Sequence, residues 1–282
     1  MDRSNEYNES KCENNLIHEM VPTYHLNHQK SETAIESNNK KFSDSLVKSK
    51  KVRVKLICVL PDWKYMVAKT TVEDYLSLFG GVVDQIVNKN HFSSILTTLE
   101  REFYEETTKV VEISFQKRKF SYYNKDYFLN QSVIEEIPFT YIGIFYEMDT
   151  IFTVIYIPKF HSNVLNYWNQ KIKEVQVNIL KKTFEGWNIP IEKIIEVNKL
   201  YHQRLMRIKS NYSAVSKQVF GFICSKLGDH HHLLEKAGID FLDENDFYKS
   251  DKIWEWTTMN VNHIKSKIKS LFEKVGIQVQ SC

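Results

Sequence analysis

Four carboxylates and an arginine fall within seven residues, Glu100-Arg101-Glu102-Phe103-Tyr104-Glu105-Glu106. Like charges at helical neighbour spacing repel, and partial burial makes each unpaired one costlier, so a chain that crowds them is equipped for a partner of opposite charge. At about 100° per residue, Phe92, Ile95, Leu96, Leu99 and Phe103 share one face of a helix. Glu102, Glu105 and Glu106 form a stripe at i, i+3 and i+4 that borders this face, with Glu106 nearest the apolar side and Glu100 and Arg101 further out. Such oxygen donors suit a hard cation, Mg²⁺ or Mn²⁺. The alternative is a solvated acidic helix face.

The carboxylates need elements to hold them. The periodicity predicts a helix from about His91 to Thr107, preceded by the chain break Gly80-Gly81. Upstream, VRVKLICVL from Val52 and the run WKYMVAKTT around the turn Pro61-Asp62 read as a hairpin. Downstream, VVEISF, FTYIGIFYEM and TIFTVIYIPKF are rich in β-branched and aromatic residues and read as strands, the last two parted by Glu147-Met148-Asp149. A further strand is expected at Glu174–Leu180, then a helix starting at Pro190 and running to about Lys209, then a helical pattern to Cys282 whose clearest stretch, IKSKIKSLFEKV, ends at Gly276. This order predicts an α/β or α+β core with a helical extension. Residues 1–49 are dominated by Asn, Ser, Glu, Lys and His, and read as a disordered tail. The expected organisation is therefore a tail over 1–49, a domain over 50–209 and a helical extension over 210–282.

Arg101-Glu102-Phe103-Tyr104-Glu105-Glu106 resembles the REUxEE core of the Nudix box, with Gly80-Gly81 upstream on the same strand-loop-helix plan. The resemblance spans about Lys51 to Lys209 and implies a Nudix-like α/β/α sandwich on a mixed sheet. It also implies a pyrophosphohydrolase acting on phosphorus anhydrides. Glu105 and Glu106 would hold Mg²⁺ or Mn²⁺ with help from the Gly81 carbonyl, Glu102 would be a further ligand or a general base, and Arg101 would orient the carboxylates. The substrate class would be a nucleoside diphosphate linked to another moiety, with capped mRNA the leading choice, as in the decapping branch that some large DNA viruses carry. Two departures matter. The loop after Gly81 is longer than the family's, and the family's first Glu and late Gly fall on Ser93 and Thr108. Asp84 or Glu100 could replace the first Glu, and Glu147 or Glu174 could supply a later acid. A Nudix-like module that binds nucleotide or RNA without turnover is the competing expectation.

Composition narrows the setting. With 42% hydrophobic and 26% charged residues and a formal net charge of +3, the chain is globular and mildly basic, which neither requires nor excludes nucleic acid. Cys12, Cys58, Cys224 and Cys282 are too scattered for a zinc box and read as reduced thiols. No signal-peptide pattern and no membrane-length apolar run occur, so an intracellular, cytoplasmic protein with no membrane partner is expected, in the host cytoplasm if viral. Alanine occurs only at positions 34, 68, 214 and 237, which fits an AT-rich genome. Asp229-His230-His231-His232 reads as an exposed turn rather than a metal cluster. The lysines at 265, 267, 269 and 274 read as the wet face of a helix or a phosphate-tracking stripe. Trp254, Trp256 and Tyr248 could pack in a core or stack on a base.

Overall fold

β1 (Arg53–Val59) and β2 (Tyr65–Thr70) form the expected hairpin, but they pair only at Cys58–Met66 and Val59–Tyr65 before diverging. The segment that follows wedges into the gap. Its β3 (Leu76–Ser77) pairs with β2, and Phe79 and Val82 then bridge to Leu56 and Arg53 of β1. The wedge is tight at Gly80, where φ is +127° and an added Cβ would collide with the Val54 carbonyl oxygen, so only glycine fits. These features belong to a computed structural model that describes residues 52–71, 75–83, 91–126, 129–187, 189–205, 221, 225–228, 230–249, 251 and 253–279. The expected tail and the loop containing Asp84 lie outside the described residues.

α1 (His91–Glu106) is the predicted carboxylate helix. After it come β4 (Val111–Ser114), β5 (Lys119–Asp126) and β6 (Leu129–Pro138), an antiparallel three-stranded sheet. β7 (Thr140–Glu147) and β8 (Thr150–Tyr156) pair antiparallel, and β8 lies parallel to β1 along its whole length. The main sheet is therefore mixed, and the fold is α/β.

Two expectations are corrected. Glu174–Leu180 is not a strand but part of α2 (Ser162–Thr183), whose buried Trp168, Ile172, Val175 and Ile179 recur at helical spacing. α3 (Ile191–Leu205) begins just past Pro190 as expected. The second correction is β9 (Lys236–Leu242), which lies within the segment expected to be helical and pairs antiparallel with the outer side of β2. After it come α4 (Glu244–Phe247), a 3₁₀ turn at Trp254–Thr258 and α5 (Val261–Val275), capped by Gly276 in a left-handed conformation.

Alternation along β1 sends its residues to two faces. Phe79, the partner of Leu56, packs at a tilt against Phe103 of α1 with ring centroids 4.6 Å apart, and Phe103 continues to Phe120 and Phe120 to Trp168 of α2. On the other face Ile57 and Val59 join Phe152, Trp256, Ile264, Ile268 and Phe272 in one core. The carboxy-terminal residues are thus part of the sheet and its core. None of the described helices is long and apolar enough to cross a membrane.

Candidate active site

α1 ends by an unusual route. Thr108 N–H donates to the Glu105 carbonyl and Lys109 N–H to the Tyr104 carbonyl, the paired bonds of a Schellman ending. Its left-handed position is filled by Thr108 at φ +55°. A β-branched residue is strained there. Tertiary bonds hold it: the buried Thr108 hydroxyl donates to the Leu233 carbonyl at 3.0 Å and accepts from Gln176 of α2 at 3.1 Å.

The carboxylates of α1 then part company. Arg101 reaches both Glu102 at 2.7 Å and Glu105 at 3.1 Å, which fixes these two side chains side by side. Glu102 lies so close to Gly81 that a Cβ added there would overlap its carboxyl group. Burial raises the Glu102 carboxyl above its ordinary range; Arg101 and Lys55 oppose this and Glu105 adds to it.

Glu106 takes a different path. It is buried, accepts from the Gly80 N–H at 2.9 Å and pairs with Lys236 of β9 at 3.1 Å. Burial pushes its carboxyl up to about 7, against the pull of Lys236 and Lys55. Burial also works against the Lys236 ammonium, but Glu106 and Glu235 outweigh it and hold that lysine above its ordinary value.

Residues far along the chain complete the surroundings. Lys55 donates to the carbonyls of Leu78 and Gly80, each at 3.1 Å, and pairs with Glu255 at 2.8 Å. The second Glu255 oxygen accepts from the Leu78 N–H at 3.1 Å. This clamp ties the wedge segment to the 3₁₀ turn. Beside it opens a cavity of ≈ 660 Å³ whose lining includes Arg53, Lys55, Gly81, Lys236, Trp254 and Glu255. The size suits a nucleotide-sized ligand.

Of the expected donors for a divalent cation, Glu102 and Glu105 remain at the surface of α1, whereas Glu106 is engaged by Lys236. The Gly81 carbonyl accepts from the Val54 N–H at 2.8 Å. No group of three or more His, Cys, Asp or Glu side chains converges to hold a metal among the described residues. The donor chemistry still fits Mg²⁺ in a reduced form, because that ion is commonly held by one or two carboxylates, with water and substrate phosphates completing its shell.

The reserve acids lie elsewhere. Glu100 accepts from the Phe115 N–H at 2.7 Å, Glu147 pairs with Lys267 at 3.3 Å, and Glu174 pairs with Lys171 on α2. Ser93 is exposed on the first turn of α1, and Asp84 and Asp229 are outside the described residues. The lysine stripe of α5 is largely spoken for, since Lys265 and Lys269 pair with Glu244 and Lys267 with Glu147. Trp256 and Tyr248 are packed inward, Tyr248 sharing a 3.0 Å hydrogen bond with Tyr65, while Trp254 is 39% exposed at the cavity.

Sequence reasoning did not place Lys55, Glu235, Lys236 or Glu255 at this site; Lys55 entered only as one of the lysines of KSKKVRVK that could add to an RNA-facing patch. One signal was present for the first: Arg53 and Lys55 alternate with apolar residues in β1, placing two cations on one face of an otherwise apolar strand. Among the family models, curated proteins and solved structures compared with this chain, none matches it.

Proposed function

We propose that this chain is a metal-dependent Nudix-type hydrolase that cleaves a diphosphate linkage in a nucleoside diphosphate joined to another moiety, with capped mRNA as the leading substrate. The observation that carries this reading is the fit between Gly81 and Glu102 at the edge of the cavity that Arg53, Lys55 and Lys236 line together with Glu235 and Glu255. A Cβ at position 81 would fall where the Glu102 carboxyl group lies, so the glycine leaves that carboxylate its place.

In this reading Glu102 and Glu105 hold Mg²⁺ or Mn²⁺. The ion supplies charge to offset two phosphates and lowers the pKa of bound water. Arg101 holds the two carboxylates side by side through its contacts to both. Glu102, whose proton affinity burial raises, is suited to take a proton from the attacking water at its carboxylate oxygen. Glu106 acts as an anchor: it pins Gly80 N–H and Lys236, and through them the loop and β9, against the end of α1. Arg53 gives the cavity wall a positive charge for a phosphate.

The engagement of Glu106 by Lys236, together with Ser93 in place of the family's first Glu, favours a second reading, a module that binds nucleotide or RNA without turnover. Incubating the protein with Mg²⁺ or Mn²⁺ and capped RNA, dinucleoside polyphosphates, nucleotide sugars and inositol pyrophosphates separates the two. Metal-dependent product lost in Glu105→Gln supports the hydrolase. A folded protein that binds nucleotide and cleaves no member of the panel overturns it in favour of the binding module.

A further inference from the structure

We infer that the ≈ 660 Å³ cavity is the recognition site for the base and sugar of a nucleoside diphosphate, with Trp254 as the stacking face and Arg53 as an anion contact. The carboxy-terminal segment then sets substrate choice. This rests on the hydrolase reading only for where the phosphates point; base recognition in the cavity requires no metal.

Four observations carry the inference. Trp254 is 39% exposed although it sits in a turn pinned on both sides: Ile253 bridges to Leu76, and Glu255 is held by Lys55 and the Leu78 N–H. Tyr75 meets it in a T-shaped contact at 5.8 Å, so the indole is held on one neighbour while part of its surface stays open. An exposed, rigidly held indole at a cavity is suited to stack a flat ring, and such stacking contributes strongly per base.

Arg53 lines the same cavity, is exposed, and makes no ion pair among the described residues. Lys55 and Lys236, by contrast, are matched by Glu255, Glu106 and Glu235. The cavity therefore keeps one uncommitted guanidinium, which suits phosphate in a forked geometry.

Ser77 and Thr71 also line the cavity, and neither buried hydroxyl oxygen makes a hydrogen bond among the described residues. Ser77 is only 4% exposed. Buried hydroxyls are rarely left unpaired, and a sugar hydroxyl supplies both a donor and an acceptor. An aromatic ring, hydroxyls and an anion in one ligand describe a nucleotide, whereas inorganic pyrophosphate has no ring and an inositol phosphate has only a puckered, polar one, so neither offers Trp254 a flat aromatic surface.

Isothermal titration in EDTA with GDP, ADP and inorganic pyrophosphate tests this on the full chain. The nucleotides are expected to bind at least tenfold more tightly than pyrophosphate. Trp254→Ala should weaken GDP binding about tenfold or more and leave pyrophosphate binding unchanged. Trp254→Phe should retain most of the affinity, and Arg53→Ala should weaken both ligands. A 5′-capped oligonucleotide separates the two sources of the base: tighter binding than GDP that falls with salt points to an RNA end, and equal binding points to a free nucleotide. Absence of nucleotide binding, pyrophosphate binding as tightly as GDP, or a Trp254→Ala protein with undiminished GDP affinity overturns the inference. Cleavage that depends on Glu105 but not on Trp254 would sink this inference alone. Trp254-dependent binding without cleavage would sink the hydrolase reading alone.

Discussion

Lys236→Met keeps the aliphatic stem of a side chain that is 4% exposed and removes only its ammonium. The carboxylate left behind is Glu106, 6% exposed and 3.1 Å from the missing charge. Breaking one side of a buried ion pair costs about 3–5 kcal/mol, because Glu106, whose carboxyl burial already raises to about 7 with the lysine beside it, must then either stay charged in a poor solvent or take up a proton that the unfolded chain would release. Here the Gly80 N–H still donates to Glu106 and offsets part of the loss, so the lower end of that range is expected. For a folded unit of this size each kcal/mol moves the melting midpoint by about 2–4 °C, which gives a drop on the order of 6–12 °C. Adding Glu106→Gln removes both the charge and the proton uptake, since an amide can accept from Gly80 without a counter-ion. The double variant should recover roughly 2 kcal/mol, a coupling readable in a double-mutant cycle from urea midpoints. The reasoning fails if Lys236→Met costs less than about 1 kcal/mol, or if the two changes add within about 0.5 kcal/mol. Either result would mean that Glu106 is not held by the lysine in solution and is free for a cation.

The paired glycines should separate stability from activity. Gly81→Ala pushes only the end of the Glu102 side chain, so the melting temperature should barely change while, on the proposed hydrolase reading, metal-dependent cleavage falls at least roughly tenfold; unchanged cleavage would remove the argument for this contact. Gly80→Ala meets backbone and a positive φ, and should cost roughly 2–4 kcal/mol in urea unfolding. Thr108→Val retains the left-handed strain and loses the hydroxyl that bonds Leu233 and Gln176, so it should destabilise by about 1–3 kcal/mol. Thr108→Gly, which loses the same bonds but relieves the strain, should cost less, and the reverse order would contradict the account of this helix end. Tyr65 is raised above its ordinary value by burial and by its neighbour Tyr248, so the folded protein resists forming the phenolate. Its stabilising effect is complete below pH 10 and is lost as pH rises beyond that. Urea midpoints should therefore fall more steeply above pH 10 in the parent than in Tyr65→Phe; parallel curves would refute the assignment.

The helix bearing the carboxylates was legible because Ile95, Leu99 and Phe103 set its period and Gly80-Gly81 marked the break before it. Residues 174–180 misled because Val175, Val177 and Ile179 alternate, and only Trp168 and Ile172 further back reveal the helical spacing. β9 was hidden by its own composition. Its Lys236 is apolar only in stem, and Gly238 has no side chain because Asn169 of α2 lies within 2.6 Å of where one would start. That asparagine accepts from the Ile239 N–H at 2.7 Å and donates to the Ile239 carbonyl at 2.9 Å, standing in for a neighbouring strand. The site divided in the same way. Arg101, Glu102 and Glu105 are linked by local spacing, which a sequence displays. The pairs Glu106–Lys236 and Lys55–Glu255 join residues brought together only by the order of strands in the sheet, and no local pattern carries that order.

The pairing of β9 with β2 has a consequence for how the protein is made. A ribosome adds about 5–20 residues per second, so the outer edge of β2 waits on the order of 10–30 s for its partner to be synthesised. Tyr65, Met66, Val67 and Ala68 on that edge are all fully buried in the finished protein. Until β9 arrives, the nascent chain presents an open apolar strand edge of the kind that recruits other chains. Glu106 faces the same delay, for its counter-charge lies on the same late strand. A message that ends early therefore yields not a smaller working unit but a chain with a sticky edge and an unneutralised carboxylate.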